Sequence, residues 1–168
     1  MNSKLIKYYL FFIGILLFRF SLNAQTTAGT EAIYSGMFRT AKGIFLKQLD
    51  DSIAKSEAYY YLGEIYRLNG NKDSAAYYYE LGASDENPNP LCMIGKAGLL
   101  MYSNSVESAS LIEKAEGIKD YAKNPERYIA LAKVYADNKK FLSAFEMLEL
   151  AKEIKKEYTN IYLTEGDI

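Results

Sequence analysis

The residues whose types and spacing could perform covalent chemistry are Ser52 and Lys55, which form a Ser-x-x-Lys sequence. At that spacing a lysine can serve as the base that activates a serine nucleophile. The motifs that accompany such a pair, Ser-Asp-Asn and Lys-Thr-Gly, do not occur in the sequence. Ser52 also follows two aspartates, and this context predicts a helix N-cap at Ser52 with Lys55 in the first turn. We therefore expect no catalytic residue here.

The composition excludes several further kinds of site. There is no histidine and one cysteine, Cys92, so histidine general-base catalysis, His/Cys zinc sites and an intrachain disulfide are excluded. Apolar neighbours favour a buried thiol at Cys92 over a reactive thiol or an intermolecular disulfide. The acid pairs Asp50-Asp51 and Asp85-Glu86 lie in predicted loops and lack metal-ligand spacing. We expect no enzyme activity, no metal and no cofactor.

Residues 1–24 have the layout of a secretory signal peptide. Two lysines precede an uncharged apolar run at residues 8–18, and Ala24 ends a small-residue segment at the expected cleavage position. The alternative is an uncleaved membrane anchor, but Arg19 interrupts the run well before the roughly 20 residues that a spanning helix needs. The segment predicts export to the periplasm or cell envelope, with secretion also open. Membrane contact is expected through this segment alone, before cleavage.

The charge balance bears on the class of partner. The chain has 20 Lys and Arg against 21 Asp and Glu, a net charge of −1. Removal of residues 1–24 takes three cations and no acid, which leaves 17 cations against 21 acids in the mature chain. Nucleic-acid binding normally requires a clustered excess of Lys and Arg. We expect no nucleic-acid partner.

Processing at this segment is directly testable. If residues 1–24 are a signal peptide, mass spectrometry of the exported protein should find Gln25, or its cyclised form, at the N-terminus. Intact Met1 recovered from a membrane fraction would support the anchor instead.

Two stretches of the chain, residues 59–82 and 128–151, align without a gap at an offset of 69 residues. That offset is two periods of 34 and 35 residues, so one further unit is expected between them. The repeated positions are Leu62, Gly63, Tyr66, Ala75 and Tyr79, and then Leu131, Ala132, Tyr135, Ala144, Leu148 and Ala151. The pattern resembles the tetratricopeptide repeat (TPR), whose 34-residue unit carries W-x2-L-G-x2-Y followed by small, large and small residues. Tyr59 stands in the place of the tryptophan.

The resemblance implies an all-α fold, a right-handed α-solenoid of antiparallel helix hairpins. Small residues such as Gly63 and Ala132 would let facing helices approach, and Tyr66 and Tyr135 are expected to fill the space between hairpins. The expected organisation is a signal peptide at 1–24, an N-terminal helical half-repeat at 25–55, a first unit at 56–89, a degenerate second unit at 90–124, a third unit at 125–158, and the start of a truncated fourth unit at 159–168.

The register of the degenerate unit is left open by the sequence. Ala97 is a candidate for the small position, and Gly95 would take that role in a shifted phase. In the second helix the matching residues are either Ala109 or, after a one-residue deletion, Ser108, Ile112 and Ala115. The sequence predicts a helical hairpin here without fixing its register.

The turns between helices are predicted from residue type. Gly70 can take a left-handed conformation in the turn of the first unit, and Asp73 or Ser74 can cap the helix that follows. Residues 136–138 are the equivalent turn of the third unit. Pro88 and Pro90 are expected to stop the second helix of the first unit and to start the next helix.

Both ends of the repeat region carry partial matches. Upstream, Ile33, Met37, Ala41 and Phe45 form an i, i+4 apolar stripe that predicts at least one helix near residues 30–49. Downstream, residues 166–168 echo Gly63-Glu64-Ile65, which predicts a fragment of a longer repeat protein. We expect residues 159–168 to fray. Such fraying would leave the apolar face at Phe141, Ala144 and Leu148 partly unprotected.

TPR proteins typically bind a protein or peptide in a concave groove lined by the first helix of each unit. The resemblance implies that the groove residues are Tyr60, Glu64, Arg67, Ile94, Met101, Ile129 and Lys133. Relatives that clamp a terminal carboxylate use Lys and Asn in the first unit and Lys with Arg in the third. This chain has Tyr60 and Glu64, and then Glu126 and Ala130, which argues against such a clamp.

The function expected from the resemblance is a non-catalytic protein-interaction scaffold of a bacterial cell envelope. Its partner is an unidentified protein or peptide, and self-association stays open. Two alternatives remain. One is a structural or oligomerisation subunit of an outer-membrane or secretion assembly. The other is the repeat region of a longer protein whose activity lies in its C-terminal part.

Overall fold

The computed structural model describes residues 8, 9, 12, 13, 24–52 and 54–168. This part of the chain is built from helices and contains no strand, as the all-α prediction required. Most of the predicted signal peptide, and Ile53 of the Ser-x-x-Lys sequence, lie outside the described residues. Within those residues, no helix is both long enough and apolar enough to cross a membrane.

The helices follow one another with short connections. Their bounds are α1 (residues 24–34), α2 (Phe38–Gln48), α3 (Lys55–Leu68), α4 (Lys72–Ala83), α5 (Pro90–Leu100), α6 (Ser105–Glu116), α7 (Pro125–Asp137), α8 (Phe141–Ile154) and α9 (Thr159–Asp167). A 3-10 turn, Tyr121–Lys123, precedes α7. Contacts divide the chain into two compact units, Met1–Ala58 and Tyr59–Ile168.

In the first unit, α1 and α2 form a hairpin. Ala41 and Phe45 are fully buried, and a Cβ atom built on Gly29 would lie 2.5 Å from the Phe45 ring, so the two helices meet at that glycine. The predicted stripe is wrong at Met37. Met37 lies in the turn before α2 and is 52% exposed, because the chain reverses direction there instead of continuing one helix. At the end of this unit Asp51, and not Ser52, accepts a hydrogen bond from the Ala54 amide.

The second unit begins within α3, and from there α3–α4, α5–α6 and α7–α8 form successive hairpins. Their first helices begin at Lys55, Pro90 and Pro125, each 35 residues after the last, and α9 begins 34 residues later at Thr159. Asparagine N-caps fix the first residue of several of these helices. Asn89 and Asn124 each precede a proline at the first helical position and accept a hydrogen bond from an amide of the first turn.

The turn of the first hairpin matches its prediction in one respect and corrects it in another. Gly70 has φ +75°, a left-handed conformation that glycine adopts without strain, as the sequence predicted. The N-cap of α4 is Asn71, whose side chain accepts from the Ser74 amide, and not Asp73 or Ser74. Pro90 starts α5 as predicted, but α4 already ends at Ala83, so Pro88 does not stop it.

The third hairpin turns later than predicted, because α7 continues through Asp137. The turn consists of residues 138–140, and Lys139 takes the left-handed conformation at φ +57°. Asn138 is buried and fixes this turn: its amide nitrogen donates to the Val134 carbonyl at 2.8 Å, and its own carbonyl accepts from the Tyr102 hydroxyl at 2.6 Å. One asparagine therefore links the end of α7 to the loop after α5.

The structure settles the register of the middle hairpin. Ser108 and Ala115 are buried in α6, and the Ser108 hydroxyl donates to the Ala97 carbonyl at 2.8 Å, whereas Ala109 is exposed. Of the two alternatives, the one with the deletion is therefore correct. Ala97 is fully buried in α5, and Gly95 also faces a neighbouring ring, that of Tyr79.

Helix α9 covers the face that was expected to be unprotected. Ile161 is fully buried and packs in one cluster with Ile129, Ala132, Ala144, Leu148 and Ala151. Ala144 and Leu148 are therefore fully buried, and the expectation that this face is partly unprotected is wrong at these two residues. Phe141, at the edge of the same helix, is 47% exposed.

The closest helix approach in the first hairpin gives a stability prediction. A Cβ atom on Gly63 would lie 2.3 Å from the Tyr79 ring, which is itself fully buried. Gly63→Ala should therefore destabilise the fold by about 1–3 kcal/mol through overpacking, although alanine is the better helix former. Gly166→Ala in α9, where a Cβ atom meets nothing within 4 Å, is the matched control. Urea unfolding followed by circular dichroism measures both, and equal midpoints would contradict this packing.

Candidate functional site

Six of the seven predicted groove residues lie on the first helices of the hairpins, and Met101 directly follows α5. Five of the seven are buried. Tyr60, Glu64, Ile94, Met101 and Ile129 are each at most 9% exposed, so these side chains do not line an open surface. Arg67 and Lys133 are partly exposed. Of the polar members, Glu64 and Arg67 contact each other, and their contacts define the candidate site.

An ion pair between Glu64 and Arg67 forms the centre of the site. Both lie on α3, three residues apart, and the guanidinium donates from Nε to Oε1 at 3.0 Å and from Nη2 to Oε2 at 2.9 Å. The Tyr79 hydroxyl of α4 donates to the same Oε1 atom at 2.5 Å. A two-point pair of this kind holds the guanidinium plane in one orientation.

The third contact of Arg67 is long-range. Its Nη1 atom contacts Oδ2 of Asp137, at the end of α7 and 70 residues away in sequence. The Asp137 side chain is half exposed, whereas that of Arg67 is 16% exposed. The first and third hairpins therefore meet at the C-terminal ends of their first helices.

The protonation states follow from burial and from these partners. Burial opposes charge on Glu64, but the Arg67 charge and hydrogen bonds, together with Lys133, outweigh it and lower the Glu64 pKa to about 2. Burial, reinforced by the Glu64 charge, raises the pKa of Tyr79. Glu64 is therefore a carboxylate and Tyr79 a neutral donor throughout the physiological range. A carboxylate with so low a pKa is a poor general base.

The pKa of Asp137 is shifted in the opposite direction from that of Glu64. Partial burial and the neighbouring Glu64 carboxylate raise its pKa, and they outweigh the opposite effects of Arg67 and Lys133. Among the charged groups of Glu64, Arg67 and Asp137, the half-exposed Asp137 carboxylate is thus the one least stabilised by its surroundings. Asp137 is also the member that a partner could reach most easily.

Sequence reasoning missed Asp137, and no local signal could have found it. In the alignment of the two repeats, Asp137 is equivalent to Leu68, so the two units do not share a polar residue at this position. It also missed the hydrogen bond of the Tyr79 hydroxyl, because the repeat pattern asks at this position only for an aromatic or large apolar residue. The Arg67–Asp137 contact depends on how the first and third hairpins are oriented, and the Tyr79–Glu64 contact depends on how closely α3 and α4 pack within one hairpin.

A second cluster joins the 3-10 turn to α7. The Arg127 guanidinium lies 5.1 Å from the centroid of the Tyr121 ring, and Tyr128 packs edge-on against the same ring at 5.7 Å. The Tyr121 hydroxyl is buried without a hydrogen-bond partner among the described residues. The aromatic and cation–π contacts are sufficient to position Tyr121 beneath α7.

Cys92 is a buried free thiol, as the sequence favoured. Its sulfur would lie 2.3 Å from a Cβ atom on Gly82, so it fills the small space between α4 and α5. Burial, with the Glu64 charge, raises the pKa of this thiol, which disfavours the reactive thiolate. In the part of the chain that the structure describes, no three acidic or sulfur side chains are grouped to hold a metal ion.

Comparison with models of known protein families and with the sequences of curated proteins finds no match to this chain.

Proposed function

We propose that this chain is a non-catalytic protein-interaction scaffold of the TPR type, a right-handed α-solenoid. The support comes from where the helices begin and from which repeat positions are buried. The first helices begin 35 residues apart, and nine of the eleven repeat positions predicted from the TPR pattern are buried. The two exceptions, Tyr66 and Tyr135, are half-buried. Stacked units of this kind present extended surfaces that suit protein recognition.

The partner is proposed to contact the rim of the first-helix face. Arg67, Lys133 and Asp137, hereafter the charged rim, lie near the C-terminal ends of α3 and α7 and combine both charge signs with partial exposure. The observation that carries this proposal is the Arg67–Asp137 contact, because it joins two hairpins at a solvent-accessible edge. The buried groove residues would then support the rim without touching the partner.

The location is proposed to be the periplasm or cell envelope. The support is the layout of residues 1–24, with a basic start, an apolar run and a small-residue end. A protein or peptide of the same compartment is therefore the expected partner.

A pull-down from envelope extract tests the charged rim. Lys133→Glu should lower recovery of a specific partner about tenfold, because a rim cation becomes an anion beside Asp137. Lys114→Glu, which makes the same charge change on an exposed residue of α6, is the control and should retain the partner. Equal recovery by both variants, or no specific partner for the wild-type chain, would contradict the proposal.

A structural role in a larger envelope assembly is the second candidate, and one observation favours it. Exposed apolar side chains are concentrated on α8 and α9, where Leu142 is 83% exposed and Phe141, Phe145 and Tyr162 are each more than 40% exposed. Exposed apolar groups at this density are typical of surfaces that bind other proteins.

A further inference from the structure

Helices α2 and α8 bury the same pattern of positions. In α2 the buried residues are Ala41, Phe45 and Gln48, and in α8 they are Ala144, Leu148 and Ala151. Both sets have the spacing i, i+4, i+7, so the outward-facing residues of the two helices are also spaced alike. The two helices can therefore be compared position by position.

The outward faces carry opposite charge. Arg39, Lys42 and Lys47 are the charged residues of α2, which contains no acid. Arg39 and Lys47 are exposed, and neither has an ion-pair partner among the described residues. We define the basic face as Arg39, Lys42, Gly43 and Leu46. Leu46, the apolar residue of this face, is 39% exposed.

The outward face of α8 is acidic and apolar. We define the acidic face as Leu142, Phe145, Glu146 and Glu149, all of them exposed. Glu149 is paired with Lys152 on its own helix at 2.8 Å, but its side chain is 68% exposed, so it can still accept a second cation. Glu146 is free of any ion pair in the described part of the chain.

The two faces match in an antiparallel arrangement. With Leu46 opposite Leu142, the common rise of two α-helices places Arg39 opposite Glu149 and Lys42 opposite Glu146. The same register places Gly43 opposite Phe145. A Cβ atom on Gly43 would meet nothing within 4 Å, so the backbone there is open to a ring from outside. In this one register the two faces form two ion pairs, one contact between leucines, and one contact between the Phe145 ring and the Gly43 backbone.

We infer that the basic face of one copy of this chain binds the acidic face of a second copy, with α2 and α8 antiparallel. The partner is a second copy because the charge complement of each face is present on the same sequence, at the same residue spacing. The contact joins two different faces, so it either closes into a twofold dimer with two such contacts or continues as a chain of copies. This contact is independent of the partner proposed for the charged rim.

Sedimentation velocity of the full chain across a concentration series tests the contact. The wild-type chain should associate reversibly in the micromolar range at low salt, and less as the salt concentration rises. Arg39→Glu or Glu149→Arg should each weaken association about tenfold, because each places like charges opposite one another. Lys114→Glu, with the same charge change away from both faces, should leave association unchanged.

A mixing experiment shows that the contact is intermolecular. An equimolar mixture of the Arg39→Glu and Glu149→Arg chains should recover association, because the two reversed charges then face each other as an opposite pair across the contact. Circular dichroism of each variant should match the wild type, since the substituted residues are exposed. A monomeric wild-type chain at all concentrations would overturn the inference. Weakened association in Glu149→Arg but not in Arg39→Glu would also overturn it, and so would a mixture that does not recover association.

Discussion

Replacing Tyr79 by alanine should unfold the second unit at a markedly lower denaturant concentration than the wild type. The ring is fully buried and occupies the space between Gly63 of α3 and Gly95 of α5, where no other side chain can replace it. Loss of so large a buried ring from a close-packed site should cost about 3–5 kcal/mol. The Glu64 carboxylate also loses a donor, which adds to the loss.

Tyr79→Phe separates the two contributions. It keeps the ring and removes only the hydroxyl, so it should cost about 1–3 kcal/mol. Tyr77→Ala is the surface control, because Tyr77 is 60% exposed and its loss should change stability little. Urea unfolding measures all three variants. A Tyr79→Ala midpoint equal to that of Tyr77→Ala would contradict the central position assigned to Tyr79.

Arg67→Met should be comparably destabilising, for an electrostatic reason. It leaves the buried Glu64 carboxylate without its guanidinium, and breaking a buried pair on one side typically costs about 3–5 kcal/mol. The double variant Glu64→Gln/Arg67→Met removes both charges and should recover most of that loss. Equal stability of the single and double variants would mean that Glu64 is not effectively buried.

The pH dependence gives a second test of the same pair. In the wild type, the Glu64 pKa is lowered from 4.5 to about 2. This difference contributes about 3 kcal/mol of stability above pH 4.5, which is lost as pH falls towards 2. In Arg67→Met the carboxyl remains buried without its cation, so its pKa should rise above the ordinary value. Stability at this site should then increase as pH falls, with the slope reversed. The same slope in both proteins would contradict the role given to Arg67.

Much of the local structure could be predicted because it depends on local chemistry. Pro90 can begin a helix but cannot continue one, and Gly70 can adopt a positive φ, so the start of α5 and the turn after α3 follow from residue type. The buried positions Leu62, Ala75 and Ala144 follow from the repeat period. These features require no knowledge of distant contacts.

The main errors in the predictions from sequence concern how deeply aromatic and charged side chains are buried. Tyr66 and Tyr135 were expected to fill the space between hairpins, but both are half-buried, and Tyr66 stacks on Tyr78 with ring centroids 5.5 Å apart. Tyr79, which was expected at the aromatic position of the core, is the fully buried ring. Helix periodicity gives the face on which a side chain lies, but its depth depends on the distance to the next helix.

The sequence by itself determined that the chain is helical, that its hairpins recur every 34 or 35 residues, and which helix faces are apolar, because these depend on residue type and spacing. Only the tertiary structure decided that the predicted groove is largely buried and that Arg67 reaches Asp137. It also decided that α9 covers Ala144 and Leu148. The physical reason is that such contacts depend on the rotation and separation of whole helices. Those quantities are set by close packing of side chains that are far apart in the sequence.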